Sequence, residues 1–232
     1  MFRFKRFSVC QQGCAMKVGT DGVLLGAWCA LEASQRRVLD IGTGTGVIAL
    51  MAAQRSAEAR ITAVDIDGEC ARRAAGNFAA SPWGDRLEAV QADIRDFAPG
   101  HTFDHIITNP PYFSSSLLPP DSGRRLARHC VALPFADLAA AFDRLLAPCG
   151  RVSMILPADA ADAFVGICRG TLSLSRRCDV RTTPRSAVRR SMLEFGRGGC
   201  AEPRHELLVI QTAPETFTEE YRTLTRDFYL KF

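Results

Sequence analysis

The sequence predicts an α/β fold in which a mixed, mostly parallel sheet carries helices on both faces. Three observations predict this class. Apolar runs of strand length alternate with stretches of helical periodicity from residue 37 to residue 170. A glycine-rich turn, residues 42–46, joins the first of these strands to a helix. Polar residues follow several strands directly, at the edge where open parallel sheets bind ligands.

The predicted elements follow one another in the order that such a sheet requires. The predicted strands are residues 37–40, 61–65, 87–91, 103–108 and 152–156, followed by two or three strands over residues 173–182, 190–196 and 206–212. The predicted helices are residues 23–31, 47–56, 68–80, 134–146 and 158–170, with a short one near the C-terminus. A turn is expected at residues 149–151. We expect one domain over residues 1–232, with a basic arm over 1–36 and the core over 37–232.

The composition excludes several classes of protein. The longest apolar run, residues 23–31, is far shorter than the roughly 18 residues of a membrane span. The nine cysteines are scattered and form no C-x-x-C pair, and only four histidines occur, so we expect no metal site. Cys29, Cys168 and Cys178 lie in apolar runs, as buried reduced thiols do. We therefore expect a cytoplasmic protein with no membrane partner. We also expect it to be a monomer.

The most informative motif is Asn109-Pro110-Pro111-Tyr112, which follows the strand of residues 103–108. The Asn109 side chain and the Pro110 carbonyl can each accept a hydrogen bond from one planar amino group, on which the Tyr112 ring can stack. The two prolines restrict the backbone and so fix these groups relative to one another. Such a pocket suits the amine of adenine or the amide of glutamine. The alternative is a rigid turn without chemistry.

The glycine turn and two aspartates indicate a nucleotide-like ligand. The glycines allow backbone amides to approach that ligand closely, and the carboxylate of Asp65 can accept both hydroxyls of a ribose. The spacing G-x-G-x-G differs from the dinucleotide fingerprint G-x-G-x-x-G, which disfavours a dehydrogenase. Asp93, after the strand of residues 87–91, either binds the amine of a cofactor adenine or caps the next helix.

The segment before the first helix has two compatible interpretations. Thr20 or Asp21 can cap the helix of residues 23–31. The stretch from Lys17 to Asp21 can also cover one end of the cofactor. Both can hold together, because a capping side chain leaves the preceding backbone free for a ligand.

Positive charge is concentrated in three places. The first 20 residues carry Arg3, Lys5, Arg6 and Lys17 and no acid, and residues 169–204 carry nine arginines against three acids. The third cluster, just past the Asn109 motif, consists of Arg124, Arg125, Arg128 and His129. Any single arginine is best interpreted as solvated surface. Three clusters together favour a polyanionic substrate, and nucleic acid over protein.

In order from residue 38 to residue 156, these elements resemble the class I S-adenosylmethionine-dependent methyltransferases. That resemblance implies a Rossmann-like core with a seven-stranded sheet. Four further stretches are similar to the bacterial tRNA1(Val) adenine-37 N6-methyltransferases. They are residues 2–5, residues 14–22, Ser81-Pro82-Trp83 and Phe228-Tyr229-Leu230. The similarity extends over essentially the whole chain and is weakest over residues 117–204.

The resemblance implies S-adenosylmethionine as cofactor, tRNA as substrate and a role for each matched residue. Cofactor contacts are expected from Lys17, Thr20, Asp21, Asp40, Gly42, Gly44, Asp65, Ile66, Asp93, Ile94 and Asn109. The flipped target adenine is expected to be held by Asn109, Pro110 and Tyr112. Phe113 is either a wall of that pocket or a packing residue. RNA contacts are expected from Arg3, Lys5, Arg6, Arg124, Arg125 and Arg128.

Other functions remain possible for the same motifs. The release-factor glutamine methyltransferases share the Asn-Pro-Pro-Tyr turn, but carry an N-terminal helical domain for which the 41 residues before Gly42 leave no room. DNA adenine methyltransferases need a larger recognition domain, and guanine N2 rRNA enzymes tend to have a duplicated one. A protein that binds S-adenosylmethionine or RNA without catalysis has no use for Asn109.

Overall fold

The computed structural model describes residues 1–14, 16–111, 133–199 and 202–232. Its strands are β1 Phe2–Arg3, β2 Ser8–Val9, β3 Arg37–Ile41, β4 Arg60–Asp65, β5 Leu87–Gln91, β6 Phe103–Thr108, β7 Leu146–Pro157, β8 Ser173–Arg181, β9 Arg190–Gly196, β10 Arg204–Val209, β11 Gln211–Ala213 and β12 Thr216–Phe217. Its helices are α1 Thr20–Trp28, α2 Val47–Arg55, α3 Gly68–Ala79, α4 Phe135–Leu145, α5 Ala158–Cys168 and α6 Glu219–Thr225, with a 3-10 turn at Gly84–Arg86.

The central sheet confirms the predicted fold class. Its strand order is β10-β8-β9-β7-β6-β3-β4-β5. The five strands from β7 to β5 are parallel, and β9 alone runs against its two neighbours. The sheet has eight strands where the resemblance implied seven, and the outermost is β10, which overlaps the strand predicted at residues 206–212 and pairs in parallel with β8.

Most element bounds lie within one or two residues of the prediction, but α1 begins three residues earlier than predicted. β7 begins at Leu146, well before the predicted residue 152, so the turn expected at residues 149–151 is wrong. Leu146 pairs with Phe103 and Arg151 pairs with His105, which leaves extra residues of β7 between the two pairs. This irregularity absorbs the stretch that resembles a turn in the sequence, because a bulge lets one strand carry residues that its neighbour does not match.

Two apolar clusters cover the two faces of the sheet. Helices α1, α2 and α3 pack on one face, where Leu50 and Phe78 are almost fully buried. Helices α4 and α5 pack on the other, where the ring of Phe164 meets those of Phe142 and Phe195 edge to face. Since both faces of the central strands are covered, these strands read as continuous apolar runs in the sequence.

The thiols that were expected to be buried are buried in the structure. Cys29, Cys168 and Cys178 are free and buried. None of the described helices is both long enough and apolar enough to cross a membrane. Within the described ranges, no three side chains among His, Cys, Asp and Glu gather as metal ligands would.

The start of α2 depends on one glycine. Gly46 adopts a left-handed conformation with φ +81, and its N–H bonds to the carbonyl of Thr43 at 2.8 Å. A Cβ at Gly46 would lie 2.5 Å from Cε1 of Phe78 on α3. The third glycine of the turn therefore serves the contact between α2 and α3 and not the ligand side of the turn.

We predict opposite effects for the same substitution at two glycines. Gly46→Ala should lower the free energy of unfolding by at least about 1 kcal/mol, because a left-handed alanine is strained and its methyl group meets Phe78. Gly76→Ala should raise it by about 0.5 to 1 kcal/mol, because Gly76 lies exposed within α3 and its Cβ would meet no atom within 4 Å. Urea denaturation of both variants measures this, and a gain in stability for Gly46→Ala would contradict it.

Candidate active site

A cavity of about 390 Å³ lies at the carboxyl ends of β3, β4, β5 and β6. Its walls contain every residue predicted to bind the cofactor except Asp40, and they contain Pro110 as well. Tyr112, Phe113 and the cluster Arg124, Arg125, Arg128 and His129 lie outside the described residues. The cavity falls within the size range of small-molecule sites, and its position is the one expected for an open parallel sheet.

The glycine turn is shaped around the cavity. Gly42 and Gly44 have φ of +70 and +54, and a Cβ on either would meet no described atom within 4 Å. The N–H groups of Gly42 and Thr43 both bond to the carbonyl of Val64, at 2.8 and 3.1 Å, which ties the turn to the end of β4. Both glycines therefore present bare backbone to the open space of the cavity.

Asp65 closes the turn from the side of β4. Its Oδ2 accepts the N–H of Gly44 at 2.8 Å, and its Oδ1 accepts the N–H of Asp67 at 2.9 Å. Burial raises the pKa of Asp65, while these two hydrogen bonds act in the opposite direction. Each carboxylate oxygen still has an acceptor site for a ligand hydroxyl, because an ionised carboxylate offers about four.

Asp40 lies behind the turn and not in the wall of the cavity. Its side chain is buried, and Oδ2 accepts a hydrogen bond from the Thr43 hydroxyl at 2.6 Å. Burial raises the pKa of Asp40 to about 7, despite that hydrogen bond. The position of this carboxyl group makes it a support of the turn, in contrast to the direct contact with a cofactor that the resemblance implies.

Asp93 is held by Arg95 at the opposite side of the cavity. The guanidinium donates to Oδ1 from Nε at 3.0 Å and to Oδ2 from a terminal nitrogen at 2.5 Å, and the Arg95 N–H reaches Oδ1 at 3.0 Å. The hydrogen bond from the Arg95 side chain lowers the pKa of Asp93. Asp93 closes a short turn and does not cap a helix, so the capping alternative is wrong.

Asn109 follows β6 at the centre of the sheet. Thr108 donates its hydroxyl to the carbonyl of Ile41 at 2.9 Å, which holds the end of β6 against β3. The Asn109 Oδ1 atom is buried, and no donor in the described ranges reaches it. A buried carbonyl oxygen without a donor costs free energy, so an N–H group of a ligand would stabilise this atom.

The segment before α1 forms a further wall but is capped differently from the prediction. Gly19 occupies the N-cap position of α1, and Thr20 and Asp21 are already helical. Their predicted capping role is therefore wrong, because the helix begins three residues earlier than expected. The Asp21 carboxylate instead accepts a hydrogen bond from Nε of Arg190 at 2.7 Å.

The three residues of the arm that are expected to contact RNA lie in different surroundings. Arg3 lines a second, larger cavity beside the C-terminal helix. The Lys5 ammonium donates to the carbonyl of Arg226 at 2.6 Å and also to that of Phe232. The guanidinium of Arg6 lies 5.6 Å from the centroid of the Trp83 ring. Lys5 thus uses two of its donors within the protein, whereas Arg3 lines the second cavity.

The sequence reasoning missed Asn77, Arg95 and Arg190. The buried Asn77 on α3 donates to the carbonyls of Thr45 and Cys10, at 2.9 and 3.0 Å, and accepts the Cys10 N–H at 2.8 Å. It therefore joins the arm to the glycine turn. A buried asparagine within an apolar helical pattern is the signal that could have revealed it. Arg190 carries no such signal, because its partner Asp21 lies 169 positions away in the chain. Arg95 lies only two positions after Asp93, and that short spacing could have indicated the pair.

Comparison with known proteins identifies close relatives over the full length. Residues 22–131 match the family described as the methyltransferase small domain. The tRNA1(Val) (adenine(37)-N6)-methyltransferase of Phocaeicola vulgatus is 47% identical, over 99% of this chain and 97% of that protein. The proteins of the same name from Bacteroides fragilis and Aeromonas hydrophila are both 44% identical, over 99% of this chain and 98% and 97% of theirs.

Solved structures show the same fold at low identity. A crystal structure from Agrobacterium tumefaciens, described as a predicted O-methyltransferase, has a TM-score of 0.67 at 21% identity and covers 90% of this chain and 96% of its own. The N-methyltransferase NodS of Bradyrhizobium japonicum, in complex with S-adenosyl-L-homocysteine, has a TM-score of 0.53 at 17% identity, over 74% and 82%. The fold is therefore that of class I methyltransferases.

We predict that Asp40→Asn makes stability less dependent on pH. Because the pKa of Asp40 is raised to about 7 in the folded protein, its contribution to stability is complete below pH 3.8 and is lost as the pH rises through about 7. Between pH 5 and pH 8 the wild type should lose about 2 to 3 kcal/mol through this group, and the variant should not. Urea denaturation at both pH values tests this, and parallel losses in the two proteins would contradict it.

Proposed function

The chain belongs to the family of tRNA1(Val) (adenine(37)-N6)-methyltransferases, and from that premise we propose that it methylates N6 of adenine-37 in tRNA1(Val). The observation that carries the proposal is the buried Oδ1 of Asn109, an acceptor that no donor in the described ranges reaches. It lies in the same cavity as the glycine turn and Asp65. A planar amine at that position would satisfy it.

The described side of the cavity fits S-adenosylmethionine, which supplies an electrophilic methyl group on a sulfonium when bound. The bare backbone of Gly42 and Gly44 leaves room for its close approach, since a Cβ on either glycine would have no described atom within 4 Å. The carboxylate of Asp65 would accept the ribose hydroxyls with its remaining acceptor sites. Lys17, Thr20 and Asp21 would cover the methionine end.

The adenine of the cofactor would lie between Ile66, Ile94 and Asp93. The two isoleucines supply apolar surface, and Ile66 is 44% exposed, so a ring packed against it would remove that surface from water. Asp93 can accept from the adenine amine only where Arg95 leaves an oxygen lone pair free. A partial shift of the Arg95 guanidinium would free such a lone pair when the cofactor binds.

The target adenine is held by its amine. Asn109 Oδ1 and the Pro110 carbonyl each accept one N–H, and the Tyr112 ring stacks on the base. The N6 lone pair is delocalised into the ring and is a poor nucleophile. Two acceptors on the amine favour a pyramidal nitrogen and stabilise the positive charge that develops during attack. Bound S-adenosylmethionine would supply the methyl group, and Asn109 with the Pro110 carbonyl would orient the amine that receives it.

Basic residues would position the tRNA around this site. Arg3, Lys5 and Arg6 of the arm, with Arg124, Arg125 and Arg128, are proposed to contact its phosphates. In the folded chain Lys5 and Arg6 also hold the arm in place, so their substitution would affect structure as well as RNA binding. We place the enzyme in the cytoplasm as a monomer of one domain, where unmodified tRNA is available.

The reaction itself can be tested with labelled S-adenosylmethionine and unmodified tRNA. Digestion of the product to nucleosides should give the label in N6-methyladenosine, and a transcript of tRNA1(Val) with adenine-37 replaced by guanine should take up none. Label that appears in a peptide release factor and not in tRNA would assign the enzyme to the glutamine methyltransferases.

We predict that Asn109→Ala lowers kcat by about 100- to 1000-fold, the usual effect of removing one group that stabilises charge in the transition state. The affinity for the cofactor should change by less than about threefold, because Asn109 is expected to act on the base. Asn109→Asp retains an acceptor oxygen and should keep more activity than the alanine variant. Rapid-quench methyl transfer and calorimetry measure these values. A loss of cofactor affinity equal to the loss of kcat would show that Asn109 has another role.

We predict that Asp65→Ala weakens cofactor binding by about 10- to 100-fold, because hydrogen bonds to a charged acceptor contribute about 1.5 to 3 kcal/mol each. The KM for tRNA should change little. Asp65→Asn keeps the size of the side chain and one acceptor for Gly44, so its effect should be intermediate. Calorimetric titration with S-adenosylhomocysteine is the measurement, and an unchanged Kd for the alanine variant would remove Asp65 from the cofactor site.

A further inference from the structure

We propose that a second cavity, the terminal groove, binds phosphates of the RNA stem-loop that carries the target adenine. The groove lies between the N-terminal arm and α6 and has a volume of about 1400 Å³. This inference rests on the proposed function, because it takes tRNA as the substrate. It adds side chains that no motif of the sequence singled out.

The terminal groove carries an excess of positive charge. Its basic side chains come from the arm, from the β8–β9 connection and from the C-terminal segment. They are Arg3, Arg189, Arg190, Arg222, Arg226 and Lys231. The acids in its wall are Asp21, Glu215 and Glu219, and Asp21 is already paired with Arg190 at 2.7 Å.

The C-terminal arginines lie on one exposed face. Arg222 and Arg226 are four residues apart at the end of α6, so their side chains project side by side. Both are exposed, and the Arg222 guanidinium lies 6.0 Å from the centroid of the Phe232 ring. A guanidinium is planar and donates two parallel N–H groups, which matches the geometry of a phosphate better than an ammonium does.

Several contacts hold the two sides of the groove together. Lys5 donates to the carbonyls of Arg226 and Phe232, and its own N–H reaches the carbonyl of Phe228 at 2.8 Å. Below the groove the rings of Phe217 and Tyr221 stack at 5.3 Å. The backbone segments that carry the basic side chains are therefore held together before a ligand binds, so their relative position need not be fixed by binding.

The groove lies next to the cofactor cavity. Thr20 and Asp21 line both spaces, and the Asp21–Arg190 pair lies where they meet. Arg190 begins β9 and Gln211 follows β10, so the groove opens at the same edge of the sheet as the glycine turn. A strand of RNA whose adenine enters the cavity thus has its neighbouring phosphates within the reach of the groove.

The shape and charge of the groove favour a polymer over a single anion. Its cations come from three separate segments and are spread along a space more than three times the volume of the cofactor cavity. A repeating chain of phosphates can satisfy several of them at once, and its binding releases counterions. An acidic segment of a protein is the competing occupant, and the experiment below distinguishes the two.

Direct binding of a labelled anticodon stem-loop tests the proposal without any need for catalysis. In the full-length enzyme, the groove variant is Arg222→Gln with Arg226→Gln. The matched control is Arg37→Gln with Arg60→Gln, which removes the same charge from exposed residues at the opposite edge of the sheet. Fluorescence anisotropy over a range of salt concentrations gives the Kd and its salt dependence for each protein.

The groove variant should raise the Kd of the stem-loop about tenfold and reduce the slope of log K against log salt by about 1.4 to 1.8, since each lost phosphate contact removes about 0.7 to 0.9. The control should keep the slope, and both variants should keep the kcat at saturating RNA. Arg222→Lys with Arg226→Lys retains the charge and should recover most of the slope. Circular dichroism checks that every variant is folded.

Two results would overturn the proposal. One is an equal effect of the groove and control variants on the slope, or no effect of either. The other is that polyglutamate displaces the stem-loop from the wild type as well as unlabelled RNA does, which would assign the groove to an acidic protein. Failure of the proposed function has a different signature, because wild-type enzyme would then leave N6 of tRNA adenine unmethylated whatever the groove binds.

Discussion

The parallel register of β3 with its two neighbours is the constraint on which the cavity depends. Ile41, the last residue of β3, pairs with Val64 on one side and with Thr108 on the other. The three strands therefore end together, and the glycine turn, Asp65 and Asn109 emerge side by side. A shift of one residue would turn every side chain of a strand to the other face, and the apolar cover on both faces opposes such a shift.

Around that edge, three aspartates differ because of their surroundings. Asp40 is enclosed behind the turn, and burial raises its pKa to about 7. Asp65 is partly enclosed, but it accepts two backbone N–H groups, and these hydrogen bonds favour its charged form. Asp93 faces the solvent side and is neutralised by Arg95. Within one site, Asp40 thus supports the turn, Asp65 lines the cavity and Asp93 pairs with a cation.

Hydrogen bonds join the N-terminal arm both to the glycine turn and to the C-terminal segment. Asn77 joins Cys10 of the arm to Thr45 of the glycine turn, and Lys5 joins the arm to the last carbonyls of the C-terminal segment. The arm therefore connects the cofactor cavity to the terminal groove. On our proposals, this connection sets the distance between the base that reacts and the phosphates that are held beside it.

Groups whose positions depend on their neighbours in the chain could be located from the amino-acid sequence. Apolar runs placed the strand ends to within a residue or two, so Gly42, Asp65 and Asn109 could be assigned to one edge of the sheet before its pairing was known. The contacts between long side chains that are distant in the sequence depend on tertiary packing instead. Arg190 reaches Asp21 across 169 positions of the chain and Lys5 reaches Arg226 across 221. No local pattern encodes such pairs, because a flexible charged side chain acquires its partner only when packing has brought two distant segments together.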